Sequence, residues 1–270
     1  EQPARLLLSG PSGGALAAGR LAGLLDRPNL VAVDMGGTSF DVSVVQDGRV
    51  AVITQGEIDR LPVRLPMVEM RTIGAGGGSI AWVDDGGRLR IGPQSAGAQP
   101  GPACYGRGGT DLTVTDANLI LGRLEASSFM GGAMPLDAAA ARAAAERVAR
   151  RIGLGVDETA AGAISVTNSS LATAIRLSLF EKGLDPEDFA LLSFGGAGGV
   201  HACEVAEDLG IRRVVFPPHA STLSAWGILW SDIVHDLAAT EIGLLAEAGP
   251  RLAAATARLR GEAERLLAED

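Results

Sequence analysis

Aromatic residues are scarce in this chain: three tryptophans, six phenylalanines and one tyrosine among 270 residues, 4% in all. Apolar residues nevertheless reach 47%, so a sizeable core has to be aliphatic and rich in alanine. Cysteine is nearly absent. Cys104 and Cys203 form neither a CxxC pair nor a disulfide framework, and the expectation is a reducing, cytoplasmic compartment. Lys182 is the one lysine, the arginines form no basic block and the net charge is −9. The phosphate-backbone contacts on which nucleic-acid binding rests therefore have no carrier. No apolar stretch reaches the length of a membrane span. No signal-peptide pattern is seen, an absence without weight in a chain that opens on Glu1-Gln2-Pro3 rather than Met and reads as part of a longer protein. His201, His219 and His235 are scattered, without the local spacing of a zinc site.

What the chain does have is glycine in particular places. Val31–Val45 reads VAVDMGGTSFDVSVV: an apolar strand, Asp34, a Gly36-Gly37 bend, the hydroxyls of Thr38 and Ser39, then Asp41 and an alternating strand. Glycines let backbone N–H groups come close to a phosphate, and hydroxyls add donors. Carboxylates beside a polyphosphate suit Mg²⁺, held largely through water. Read blandly, the same stretch is an ordinary hairpin with a Gly-Gly bend. A second such feature is Leu191–Glu204, LLSFGGAGGVHACE, in which a buried strand runs into a glycine loop and a helix start. Bare backbone there suits an anion or a flat purine ring; the bland alternative is a tight strand-to-helix connection.

Periodicity places the remaining elements. Arg5–Ser9 reads as a short strand, Gly10–Gly14 as a turn and Ala15–Leu25 as a small-residue helix. Gly48–Thr54 would extend the antiparallel sheet, and Ile80–Val83 with Leu89–Ile91 form a hairpin. Residues 95–111 carry almost no periodicity, yet hold Tyr105 and Cys104. A loop of that length in a compact domain is commonly functional. Helices are expected from Asp116, over Asp137–Ile152 with Asp137 as N-cap, over Glu158–Lys182, over Val200–Leu209 and over Arg251–Asp270. Further strands are expected at Phe189–Phe194 and Arg212–Phe216.

The order of features resembles the second lobe of the actin-like ATPase superfamily. Pro11–Gly19 looks like its first connecting helix, Asp34–Asp41 like its second phosphate motif and Phe194–Gly198 like its adenosine motif. The strings RTIGAGGGSIAWVD (Arg71–Asp84), SAGAQPGPACYGRGGTDLTVTDANLILGR (Ser95–Arg123), FGGAGGVHACEVAEDLGI (Phe194–Ile211) and the PPHAS…WGIL…DIVHD run (Pro217–Asp236) are similar to the hydantoinase A/oxoprolinase family. That family includes N-methylhydantoinases, 5-oxoprolinases and acetone-carboxylase subunits. The resemblance implies an α/β, ribonuclease-H-like lobe with a mixed sheet flanked by helices over residues 1–240, with 74–111 as a glycine-rich functional insertion. Residues 241–270 would begin a C-terminal helical region.

It implies ATP and Mg²⁺ as cofactors. Asp34 and Asp41 would be the catalytic, metal-organising acids. Gly36, Gly37, Thr38 and Ser39 would hold phosphate, and Gly195, Gly196, Ala197 and Gly198 would face the adenosine. The activity implied is ATP-driven opening of a cyclic amide, with a hydantoinase B-type second subunit and an N-terminal lobe of the parent chain as partners. A ketone carboxylase subunit is the alternative. Two rivals remain: a chaperone-like ATP switch, against which the 95–111 loop speaks, and a binding module without chemistry, against which the two retained acids speak. Roles for His201, His219, His235, Arg107 and the 74–79 loop stay open.

Overall fold

The computed structural model describes residues 9–53, 56–58, 61–63, 67–232, 234–235, 237–244, 246 and 248–269. Along the chain come α1 (Ser9–Leu24), β1 (Leu30–Met35), β2 (Phe40–Gln46), β3 (Arg49–Val50), β4 (Val52–Ile53), β5 (Gly56–Ile58), β6 (Leu61–Val63), β7 (Met67–Val68), β8 (Arg71–Ile73), β9 (Ser79–Val83) and β10 (Leu89–Ser95). There follow α2 (Val114–Ile120), α3 (Ala138–Ile152), α4 (Val156–Phe180), β11 (Ala190–Phe194), α5 (Ala202–Asp208), β12 (Val214–Val215), α6 (Leu223–Leu229) and α7 (Ala248–Glu269).

The central sheet has the order β12-β11-β1-β2-β3, with β8 also paired to β2. β1 runs antiparallel to β2 and parallel to β11, so the sheet is mixed, as the actin-like resemblance implies. Because side chains alternate along a strand, each valine-rich strand supplies two cores. One face puts Val31, Val33, Phe40, Val42 and Val44 against Leu171, Ile175 and Leu179 of α4 and Val205 of α5. The other puts Leu30, Ala32, Val45, Leu192 and Phe194 against Ala17, Ala18 and Ala22 of α1 and Leu223 of α6. The β9–β10 hairpin packs with α2, α3 and α4 in smaller alanine-rich clusters, which is how the chain fills its interior with few aromatic rings.

The structure corrects several sequence expectations. Gly10–Gly14 is not a turn but the first part of α1; Arg5–Leu8 lie outside the described residues. Glycine costs a helix about 1 kcal/mol relative to alanine, and a contact explains its presence here. A Cβ at Gly13 would fall 2.2 Å from the Ser224 carbonyl oxygen, one at Gly14 2.5 Å from the Phe194 ring, and one at Gly227 1.8 Å from the Gly13 carbonyl oxygen. The helices α1 and α6 thus cross backbone to backbone. The Gly48 strand breaks after Val50, and β4 pairs with β7 instead; Thr54 lies outside the described residues. Val200–Leu209 divides into a 3₁₀ turn, Gly198–Val200, and the short α5, while the Arg212–Phe216 strand shrinks to Val214–Val215. Asp137 does cap α3, accepting from the Ala140 N–H at 2.9 Å.

The chain divides into two compact units, residues 1–230 and 231–270. The second holds α7, whose residues are mostly exposed and whose Ala255 is buried. Among the described residues no helix is long and apolar enough to cross a membrane.

Candidate functional site

Asp34 and Asp41 are directly opposed partners in the β1–β2 ladder, so their side chains leave the same face of the sheet, the one that α1 and α6 cover. Both are half-buried. Asp34 Oδ2 accepts from the Ser224 hydroxyl of α6 at 2.9 Å. Asp41 Oδ1 accepts from Thr72 of β8, and Ser39 reaches its Oδ2 at 3.5 Å. Burial raises the Asp34 pKa above its ordinary value; the Ser224 hydrogen bond opposes that shift and the nearby Asp41 charge adds to it.

At the hairpin tip the Gly36 N–H donates to the Ser39 carbonyl. The N–H groups of Gly37, Thr38 and Ser39 donate to no other group among the described residues, and Gly37 and Thr38 are exposed. The tip is braced from behind. Gly77 and Gly78 N–H groups donate to the Gly36 and Gly37 carbonyls at 3.0 and 2.7 Å, and a Cβ at Gly76 would strike the Thr38 nitrogen at 2.5 Å. The 74–79 loop therefore acts as a backbone clamp on the hairpin, with the Gly76 N–H itself bonded to Ser79 Oγ. Thr115, at the start of α2, holds the clamp by donating both its N–H and its hydroxyl to the Gly77 carbonyl.

The aperiodic 95–111 segment is ordered by Asp116, which is fully buried. Its two oxygens accept from the Ala103, Cys104 and Thr113 N–H groups and from the Thr113 hydroxyl, at 2.7–3.2 Å. One carboxylate thereby caps α2 and fastens the loop onto it. Arg107 is exposed, with Nη2 3.4 Å from Met134 Sδ.

The loop after β11 lies beside the hairpin. The Ala197 N–H donates to the Met35 carbonyl at 2.9 Å and the Gly195 N–H to the Ala220 carbonyl. Gly195 has φ +82°, and a Cβ there would lie 2.3 Å from Asp34 Oδ1. Gly36 and Gly37 of the hairpin and Gly195, Gly196 and Ala197 of the loop, far apart in sequence, line one cavity of about 400 Å³. Tyr105, Phe129 and Phe216 supply flat apolar wall. Asp34, Asp41, Thr38, Ser39 and Gly198 are not among the cavity-lining residues; the two acids sit on the α1–α6 side of the hairpin.

His201 also lines the cavity. It is 1% exposed, held between Asn168 Oδ1 at Nδ1, 2.7 Å, and Asn118 Nδ2 at Nε2, 3.2 Å. An amide NH₂ facing Nε2 and an amide oxygen facing Nδ1 require the neutral ring with its proton on Nδ1. Burial, aided by the Arg123 charge and opposed by Glu204, lowers its pKa to about 4. Asn168 in turn donates to Glu204, which Arg123 grips. Asn118 Oδ1 and Ser193 Oγ, on two further lining residues, are buried without a hydrogen-bond partner among the described residues. Asn118, Asn168, Ser193 and Ser224 were not singled out from sequence. The TDANL string held Asn118 in view, but single polar residues inside elements carry no local signal.

Mg²⁺ takes oxygen ligands and is commonly held by one or two carboxylates with phosphate and water completing its shell. Asp34 and Asp41 fit that donor set. No cluster of three or more His, Cys, Asp or Glu able to hold an ion occurs among the described residues, so the fit is to an ion shared with phosphate. The free N–H groups at Gly37–Ser39 suit the phosphate itself.

The family described as hydantoinase/oxoprolinase matches residues 1–237. The chain is 43% identical to the caprolactamase alpha subunit of Pseudomonas jessenii over 87% of its own length and 34% of the relative's. It is 42% identical to the acetophenone carboxylase gamma subunit of Aromatoleum aromaticum, over 86% of its own length and 32% of the relative's. The crystal structure of an ATP-dependent caprolactamase from Pseudomonas jessenii superposes with a TM-score of 0.76 at 43% identity, over 83% of this chain and 32% of that one. The chain thus spans about a third of the length of these relatives.

Proposed function

As the chain belongs to the hydantoinase/oxoprolinase family, we propose that it is the nucleotide-binding lobe of an ATP-dependent enzyme that opens a cyclic amide. The observation that carries the reading is the meeting of the two glycine loops in one cavity, beside a pair of opposed carboxylates. Bound ATP with its Mg²⁺ would supply the phosphoryl group. Phosphoryl transfer is mostly positioning and charge neutralisation, and each part of the site has such a task. The Gly36–Ser39 tip holds phosphate oxygens through the N–H groups of Gly37, Thr38 and Ser39 and the hydroxyls of Thr38 and Ser39. Asp34 and Asp41 orient the ion's waters from one face. Gly195–Gly198 lay bare backbone along the adenosine, and Tyr105, Phe129 and Phe216 offer apolar wall to its flat ring.

The choice of a cyclic amide over a ketone follows the caprolactamase relative, while the acetophenone carboxylase relative supports the alternative almost equally in identity. The remainder of the parent chain and a second subunit complete the enzyme in this reading, so the 270-residue lobe alone binds MgATP weakly and turns over nothing. The test is ADP release by the full-length enzyme with its partner subunit, across a panel of hydantoin, 5-oxoproline, simple lactams, and ketones with bicarbonate. Release that depends on a cyclic amide supports the reading. Release that depends on ketone and bicarbonate establishes the carboxylase alternative, and ATP hydrolysis indifferent to every small substrate favours a chaperone-like switch.

A further inference from the structure

Hydroxyls on the long helix α4 behave as helix hydroxyls usually do. Thr167, Ser170, Thr173 and Ser178 each donate back to the carbonyl four residues earlier. Ser224 does not. It lies in the first turn of α6 and donates to Asp34 Oδ2, 190 residues away in sequence, at 2.9 Å. Its backbone is held where two helices approach as closely as glycine permits. A Cβ at Gly13 would fall 2.2 Å from the Ser224 carbonyl oxygen, one at Gly14 3.0 Å from Ser224 Oγ, and one at Gly227 1.8 Å from the Gly13 carbonyl oxygen. The other carboxylate oxygen, Oδ1, lies against the α-carbon of Gly195, where a Cβ would stand 2.3 Å away. Asp34 is thus bounded by Ser224 on one side and by the β11 loop on the other.

We propose that Ser224 is a positioning residue for Asp34, tying that carboxylate to the glycine crossing of α1 and α6. The packing of the helix pair then fixes how the acid is presented beside the hairpin tip. Alanine at position 13 or 227 would displace α6, and with it the hydroxyl. The inference rests on the reading of Asp34 as part of the nucleotide site. Groups that hold a functional carboxylate by hydrogen bond characteristically cost about 10- to 100-fold in activity or metal affinity when removed.

The test uses the full-length enzyme with its partner subunit and compares Ser224→Ala, Ser224→Thr and Asp34→Asn with wild type. The readouts are kcat and KM for MgATP, thermal midpoint and a crystal structure of the Ser224→Ala protein. Ser224→Ala is expected to lower kcat by about 10- to 100-fold, to leave KM within about threefold and the midpoint nearly unmoved, and to free the Asp34 side chain to turn in the crystal. Ser224→Thr, which keeps the hydroxyl, should recover most of kcat. Wild-type kcat in Ser224→Ala, alongside an inactive Asp34→Asn, overturns the inference and leaves the site reading intact. A Thr variant no better than Ala, with kcat and midpoint falling together in both, also overturns it, because Ser224 would then be packing alone. Activity surviving in Asp34→Asn defeats the underlying reading whatever Ser224 does.

Discussion

Two aspartates, Asp34 and Asp116, show how differently one side chain is used in two regions of this fold. Asp116 sits at the start of α2, fully buried, with four donors on its two oxygens. Its acceptor capacity is committed to capping α2 and holding the 95–111 loop, and it serves the fold. Asp34 lies next to the end of β1, is half-buried, takes one hydroxyl donor and faces a second carboxylate across the ladder. Its charge is poorly compensated and its pKa is raised by burial. The difference teaches that a carboxylate's role is read from how many of its lone pairs the protein itself occupies. The satisfied acid is structural; the acid held in place but under-satisfied has capacity left for an ion or a ligand.

The comparison breaks most readily at Asp116. Asp116→Ala leaves four buried donors without an acceptor, each worth about 1–3 kcal/mol when orphaned. A loss on the order of 4 kcal/mol is expected in urea unfolding. A loss below about 1 kcal/mol would show that the loop is held by something else.

A smaller effect is expected at His201, also buried and also committed to protein partners. Its pKa in the folded protein, about 4, lies below its ordinary 6.5. The unfolded chain therefore binds the extra proton first. This contribution to stability is fully present above pH 6.5 and is lost progressively as the pH falls from there towards 4. The full span is worth roughly 3 kcal/mol. His201→Gln should flatten that part of a stability-against-pH curve; an unchanged curve would remove His201 from the account.

Asp137→Ala deletes the N-cap of α3 and should cost about 1 kcal/mol, measurable as a lowered urea midpoint with turnover unchanged. The smallest change in stability is expected at Asp34. Because its folded pKa is raised, its ionised form weakens the fold at neutral pH, and Asp34→Asn should leave the unfolding midpoint unchanged or slightly higher while abolishing turnover. A large loss of stability in Asp34→Asn would put Asp34 in the same class as Asp116 and erase the contrast.

Much of the sheet was legible because alternation and valine content in Val31–Met35 and Val42–Val45 report directly on burial. The hairpins and the N-cap at Asp137 carry equally local signals. Periodicity reads Gly10–Gly14 as a turn because a glycine run signals one when no neighbour is visible, whereas the resemblance puts Pro11–Gly19 on a helix, as α1 does. Gly13 and Gly14 are required instead by the approach of α6 and of the Phe194 ring, both far away in sequence. The two glycine loops of the site could be found because bare backbone leaves a compositional trace. Ser224, Asn118 and Asn168 could not, since each matters only through a partner on another element. Asp116 was read as a helix start, and nothing local announced that it also fastens the long loop.

The proposed function has the Gly36–Ser39 tip and the Gly195–Gly198 loop serve one nucleotide. It is met most directly by a crystal structure of the full-length enzyme with Mg²⁺ and a non-hydrolysable ATP analogue. Phosphate oxygens are expected on the N–H groups of Gly37–Ser39, the ion between phosphate and the Asp34–Asp41 pair, and the adenosine along Gly195–Gly198. Nucleotide bound at another surface, with this cavity empty or filled by a different ligand, would contradict it.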